Sequence, residues 1–150
     1  MESGNIKGNS SHNSGGGVYI GLRCFFTMKG GKIDSNKVTM SSGGGVRVNQ
    51  FGTFTMSGGT ISGNTATQDG GGVYIDSSGI FTMSGGTISG NTATQNGGGV
   101  YIGSAPFTMS GGTISGNTAT QNGGGVYIGS APFTMSGGTI SGNTATQNGG

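Results

Sequence analysis

The chain has no tryptophan, one cysteine, two prolines and one histidine, and its 150 residues include only six basic and four acidic side chains. Each shortage narrows the function. A lone Cys24 rules out an internal disulfide. A reactive thiol beside Arg23 competes with a plainer reading, a small apolar residue near a coil edge. The net charge is +2, with no basic stripe, so no nucleic-acid partner is expected. No apolar run approaches the roughly 18 residues of a membrane span. From Ser77 to Gly150 there is neither a charge nor a histidine, which leaves general acid–base chemistry nothing to work with there. Glu2, Asp34, Asp69 and Asp76 fall at unmatched positions, so no carboxylate pair of the glycosidase kind recurs. His12 has no second ligand at metal-binding spacing. The acidic nonapeptide of calcium-binding β-rolls is missing. No Lys-Ser/Thr follows any Gly-Gly-Gly, which removes a phosphate loop. The expectation is no catalytic residue, no metal and no cofactor: not an enzyme.

What is abundant is glycine, 38 residues of it, and the glycines are phased. Residues 107–132 read FTMSGGTISGNTATQNGGGVYIGSAP, and residues 81–106 repeat them letter for letter. Residues 133–150 begin a further copy, and residues 54–79 are the same unit with changes near its end, followed by Ile80. Ile-x-x-Asn occurs at Ile6, Ile33, Ile61, Ile88, Ile114 and Ile140, at spacings of 27, 28, 27, 26 and 26. Gly-Gly-Gly-Val ends at Val18, Val46, Val73, Val100 and Val126. Such periods signal a repeat architecture. The coils are approximately 1–25, 26–53, 54–80, 81–106, 107–132 and an incomplete 133–150, in a single repeat region. Met1 aligns with Met56, an internal methionine, and Gly150 falls inside a Gly-Gly-Gly. A fragment of a longer β-helix, or a reading frame opened at an internal Met, is therefore expected.

Each unit holds three short alternating runs. Phe107 and Met109 share a face opposite Thr108. Ile114 opposes Thr113 and Ser115, and Val126 and Ile128 oppose Tyr127. Period-two alternation marks half-buried strands. Breaks are expected at Gly111-Gly112, over residues 116–125 and over residues 129–132, where turn residues gather. No window shows a helical period. Three strands per 26–28-residue coil, stacked copy on copy, give an all-β parallel β-helix. Phe, Met, Ile, Val and Ile point inward. The competing fold is a β-hairpin turning at Gly58-Gly59 with Met56 opposite Ile61. It leaves Val-Tyr-Ile unpartnered. The Asn after each Ile, at Asn64, Asn91, Asn117 and Asn143, is read as a structural ladder at a coil corner; a binding role is the alternative.

Ile-Ser-Gly-Asn followed by Gly-Gly-Gly-Val resembles the FxxN and GGA[ILV] passenger repeats of chlamydial polymorphic outer membrane proteins. More broadly it is similar to the pectin-lyase-like right-handed β-helices of autotransporters and large adhesins. Ile stands for Phe in every FxxN, and Gly for Ala in every GGA. The resemblance covers the whole chain. It implies right-handedness and an exported parent protein at the cell surface or outer membrane, acting as adhesin or stalk toward a host surface protein or glycan.

Two outward columns are candidate binding surfaces. Tyr74, Tyr101 and Tyr127, with Tyr19 beyond Arg47, could stack on sugar rings; a cross-strand ladder is the plainer reading. Thr82, Thr108 and Thr134, with Thr27 and Thr55, form a row with Thr60, Thr87, Thr113 and Thr139 nearby. Such rows resemble the ice-binding faces of some antifreeze proteins, although Thr suits any exposed strand. Residues 118–120, Thr-Ala-Thr, are expected in a loop. Tandem identity suits a spacer of variable length. A gene remnant without function is a third reading. Open strand edges at the ends of the isolated piece predict end-to-end self-association.

Overall fold

The computed structural model describes residues 1–150. It contains strands and no helix. Three parallel sheets run along a solenoid; each coil up to residue 132 contributes to all three in turn, and residues 133–150 to the first two. The first sheet follows the order Asn5–Lys7, Lys32–Asp34, Thr53–Ser62, Ile80–Ser89, Phe107–Ser115 and Phe133–Met135. Phe25–Met28 pairs with Thr53–Ser62, and Thr139–Ser141 with Phe107–Ser115. The second sheet stacks six two-residue strands, Thr92–Ala93 and Thr118–Ala119 among them. The third stacks Val18–Ile20, Val46–Val48, Val73–Ile75, Val100–Ile102 and Val126–Ile128.

Like sits on like. Phe81 pairs with Phe54 and Phe107, Ile88 with Ile61 and Ile114, and Val100 with Val73 and Val126. The inward residues make one core: Phe54, Phe81 and Phe107, Met56, Met83 and Met109, the Ile61 and Val73 columns and their neighbours. Each fully buried side chain of this size contributes about 1.5–3 kcal/mol of transfer free energy. The phenyl rings stack along the axis, Phe54 on Phe81 at 5.0 Å and Phe81 on Phe107 at 4.9 Å between centroids.

Every pairing is parallel, and the hairpin alternative falls with that. Gly58-Gly59 lies inside the ten-residue strand Thr53–Ser62. The expected break at Gly111-Gly112 is likewise absent. In the central coils Phe-Thr-Met and Thr-Ile-Ser merge into one strand, such as Phe107–Ser115, with an irregularity of register at Ser-Gly-Gly. Gly112 takes φ +91°, and a Cβ there would lie 2.6 Å from the Met83 methyl of the preceding coil. The glycine keeps the chain extended while making room for the methionine below. The loop expected at residues 118–120 is also corrected. Thr118–Ala119 pairs with Thr92–Ala93 and Thr144–Ala145, and Ala119 is buried. Two residues are too few to show a period.

Candidate functional surface

Asn117 follows Ile114 at the corner between the first and second sheets. Its buried side chain donates from Nδ2 to Asn143 Oδ1 at 2.9 Å and to the Ile88 carbonyl at 3.0 Å. Its Oδ1 accepts from the backbone N–H and Nδ2 of Asn91. Asn64 and Asn91 repeat the pattern. Both groups of each amide are consumed by the coil corner, which leaves these asparagines nothing to offer a ligand.

The third sheet carries the tyrosines. Tyr74 and Tyr101 stack at 4.9 Å and Tyr101 and Tyr127 at 5.2 Å, with planes 6° and 13° apart. Arg47 lies in register between Tyr19 and Tyr74, its guanidinium 4.7 Å from the Tyr74 ring centre. Arg47 also meets Asp76 at 3.4 Å. Stacking along the axis covers the faces of Tyr74 and Tyr101, so they present edges and hydroxyls to solvent. At Tyr74 and Tyr101 no ring face is left for a sugar to lie on, whereas Tyr127 is stacked by Tyr101 on one side only. Burial pushes the Tyr101 phenol up to about 12, with Asp69, Tyr74, Tyr127 and Asp76 adding in the same direction. Tyr74 is raised by burial and Asp76, with Arg47 opposing.

Beside the tyrosines runs a second polar ladder that sequence reasoning missed. Asn96 donates to Asp69 at 2.9 Å, Asn122 to Asn96 at 2.8 Å and Asn148 to Asn122 at 2.7 Å. The signal was available, since Asp69, Asn96, Asn122 and Asn148 each precede a Gly-Gly pair. A shallow, open depression of about 380 Å³ lies between Asn122, Asn148, Tyr127 and Ile128.

The first sheet presents the hydroxyl face. Thr82 pairs with Thr55 and Thr108, and Thr108 with Thr134; Thr87 pairs with Thr60 and Thr113. Thr108 and Thr134 are exposed and Thr82 half-buried. On the second sheet, by contrast, the Thr94 and Thr120 hydroxyls donate to the Ala66 and Ala93 carbonyls.

The charged groups stay in the early coils. Lys7 meets Asp34 at 3.2 Å and Lys29 meets Glu2 at 3.0 Å. The Lys7 hydrogen bond leads in holding Asp34 below the usual carboxylate range, against desolvation. His12 Nδ1 lies 3.1 Å from the Thr39 hydroxyl, and Cys24 is exposed. No three His, Cys, Asp or Glu side chains gather as a metal site would require.

Comparison with curated proteins and with solved structures gives no match. A family model described as a right-handed β-helix region matches residues 2–150. With that match covering nearly the whole of an all-parallel three-sheet solenoid, the chain belongs to the right-handed β-helix family.

Proposed function

We propose that this chain is a rod segment of an exported surface protein, serving as an adhesive stalk or spacer and not as an enzyme. The observation that carries the reading is the coil-on-coil identity of the columns over residues 81–150. Phe81 on Phe107, Asn91 on Asn117 and Tyr101 on Tyr127 recreate the same contacts at each step. A coil can be added or removed without a new interface, and stability grows with each nearest-neighbour contact. That property suits length and display, and the resemblance to autotransporter and polymorphic outer-membrane passengers supplies the exported setting. The proposed contact is with a host surface protein or glycan. The test is protease shaving of intact cells that express the native locus, read with an antibody to the repeat. Release of repeat peptides from unbroken cells is the expected result. Protection until the cells are lysed overturns the proposal.

A second reading uses the Thr82, Thr108 and Thr134 column as a face for carbohydrate or ice. What favours it is the uncharged, in-register hydroxyl row on a single sheet. Binding to a glycan array, or thermal hysteresis, lost on Thr108→Lys with the fold retained, would support it. A wild-type chain inert in both assays sinks it.

A further inference from the structure

The corner leading from the third sheet back to the first differs between early and late coils. In the late coils it is Gly-Ser-Ala-Pro, with Ala105 buried. In the early coils it is closed by tight turns: Cys24 N–H donates to the Gly21 carbonyl at 3.1 Å, Gly52 to Asn49 at 2.9 Å and Gly79 to Asp76 at 3.0 Å. The third residue of each turn, Arg23, Phe51 and Ser78, has a left-handed backbone with φ of 57°, 55° and 65°. For a bulky residue such as phenylalanine this conformation is an outlier. Phe51 gains no burial in return, since 55% of it is exposed. Strain held without a packing return points to function.

Phe51 has apolar company. Leu22 is 57% exposed, Phe25 84% and Ile80 47%. Phe25 and Ile80 both pair with Thr53, one coil to either side, so the row crosses successive coils. The Arg23 guanidinium lies 6.0 Å from the Phe51 ring centre. Exposed apolar clusters of this kind mark contact surfaces.

Charge selects the occupant. Residues 1–53 hold six bases and two acids, +4, while residues 54–150 hold only Asp69 and Asp76, −2. The ion pairs use Lys7, Lys29 and Arg47, which leaves Arg23, Lys32 and Lys37 without a carboxylate. Of these Arg23 stands at this corner, while Lys32 and Lys37 lie on strands of the first and second sheets. A second copy docked corner to corner would set Arg23 against Arg23. The apolar side chains stand out from turns at Leu22 and Phe51 and from strand ends at Phe25 and Ile80; the open depression of the molecule lies elsewhere. We propose that this corner is a lipid-contact edge. Leu22, Phe25, Phe51 and Ile80 enter the interfacial zone of an anionic bilayer, and Arg23 meets the headgroup phosphates. Aromatic and apolar side chains beside cations are the chemistry of peripheral membrane attachment. The inference does not depend on the surface-rod reading.

Flotation tests it, because aggregates sink while vesicles rise. The full chain is expected to float with vesicles rich in phosphatidylglycerol and to stay down with phosphatidylcholine alone or in high salt. Phe51→Gly relieves the left-handed strain, so its unfolding midpoint should equal or exceed that of the wild type while flotation falls several-fold. Phe25→Ser should do the same to flotation, and Arg23→Gln should remove the lipid-charge preference. A Phe51→Trp variant should shift its emission to the blue on anionic vesicles. Absence of wild-type flotation overturns the proposal and assigns the corner to a protein partner. Undiminished flotation of a folded Phe25→Ser, Phe51→Gly double variant overturns it as well.

Discussion

Replacing Asn91 by alanine tests what holds the coil corners in register. Asn91 Oδ1 accepts from the N–H and Nδ2 of Asn64 at 3.0 and 2.9 Å, while its Nδ2 donates to Asn117 Oδ1 at 2.9 Å and to the Ile61 carbonyl at 3.0 Å. Truncation orphans two donors on Asn64 and takes a donor from Ile61, all in a fully buried corner. An orphaned buried polar group costs about 1–3 kcal/mol, so the two donors alone put the loss at about 2–6 kcal/mol. Water entering the vacated polar space draws it toward the lower end. In urea unfolding followed by circular dichroism, the midpoint should fall by about 1 M or more at ordinary slopes. Asn143→Ala is the control. Asn143 holds the same kinds of contact but is partly exposed, so water replaces more of what is lost. Asn91→Asp adds a pH signature. Its second oxygen would face Asn117 Oδ1 and the Ile61 carbonyl, two acceptors, which favours the protonated acid and raises its folded pKa above the ordinary value of about 3.9. The stability of that variant is fully present below about pH 4 and is lost as pH rises through the folded pKa. An Asn91→Ala midpoint no lower than that of Asn143→Ala, or a flat pH profile for Asn91→Asp, refutes the account.

Two glycine substitutions separate sterics from backbone strain. A Cβ on Gly98 would sit 2.5 Å from the Gly124 carbonyl oxygen and the Thr118 backbone of the next coil, whereas one on Gly90 meets nothing closer than 4.0 Å at φ +62°. Gly98→Ala should therefore abolish cooperative unfolding, while Gly90→Ala should cost about 1–2 kcal/mol, both read by urea titration. Phe81→Ala removes a ring sandwiched by Phe54 and Phe107 and should cost about 3–5 kcal/mol in the same assay. Because the Tyr101 phenol is raised to about 12 when folded, the stability it contributes is whole below an unfolded pKa of about 10 and is lost as pH rises toward 12. Tyrosinate absorbance should show this late titration, and Tyr101→Phe should unfold less readily across that window.

The architecture was legible because a stack of copies repeats its side-chain pattern in space: once Phe81 and Phe107 stand at equal phase, parallel pairing brings them together. The limits were equally physical. Period-two alternation locates strands through side chains, and glycine has none, so Phe-Thr-Met and Thr-Ile-Ser read as two strands when Gly112 at φ +91° lets them run as one. Thr118–Ala119 was too short to alternate, and its strand character comes from neighbours a coil away. The tyrosine column was visible as a row, but the orientation of its rings was not. That orientation decides the chemistry: rings that cover one another at 4.9 Å expose hydroxyls instead of faces. The apolar corner lay outside any periodic argument, because the early coils depart there from the copies and the sequence offers no register to compare. Phe51 stands out only when its φ and its exposure are known together. Repetition thus reveals the scaffold and conceals what is specific to one coil, so function carried by Leu22, Phe25, Phe51 and Ile80 would reside where the repeat is least faithful.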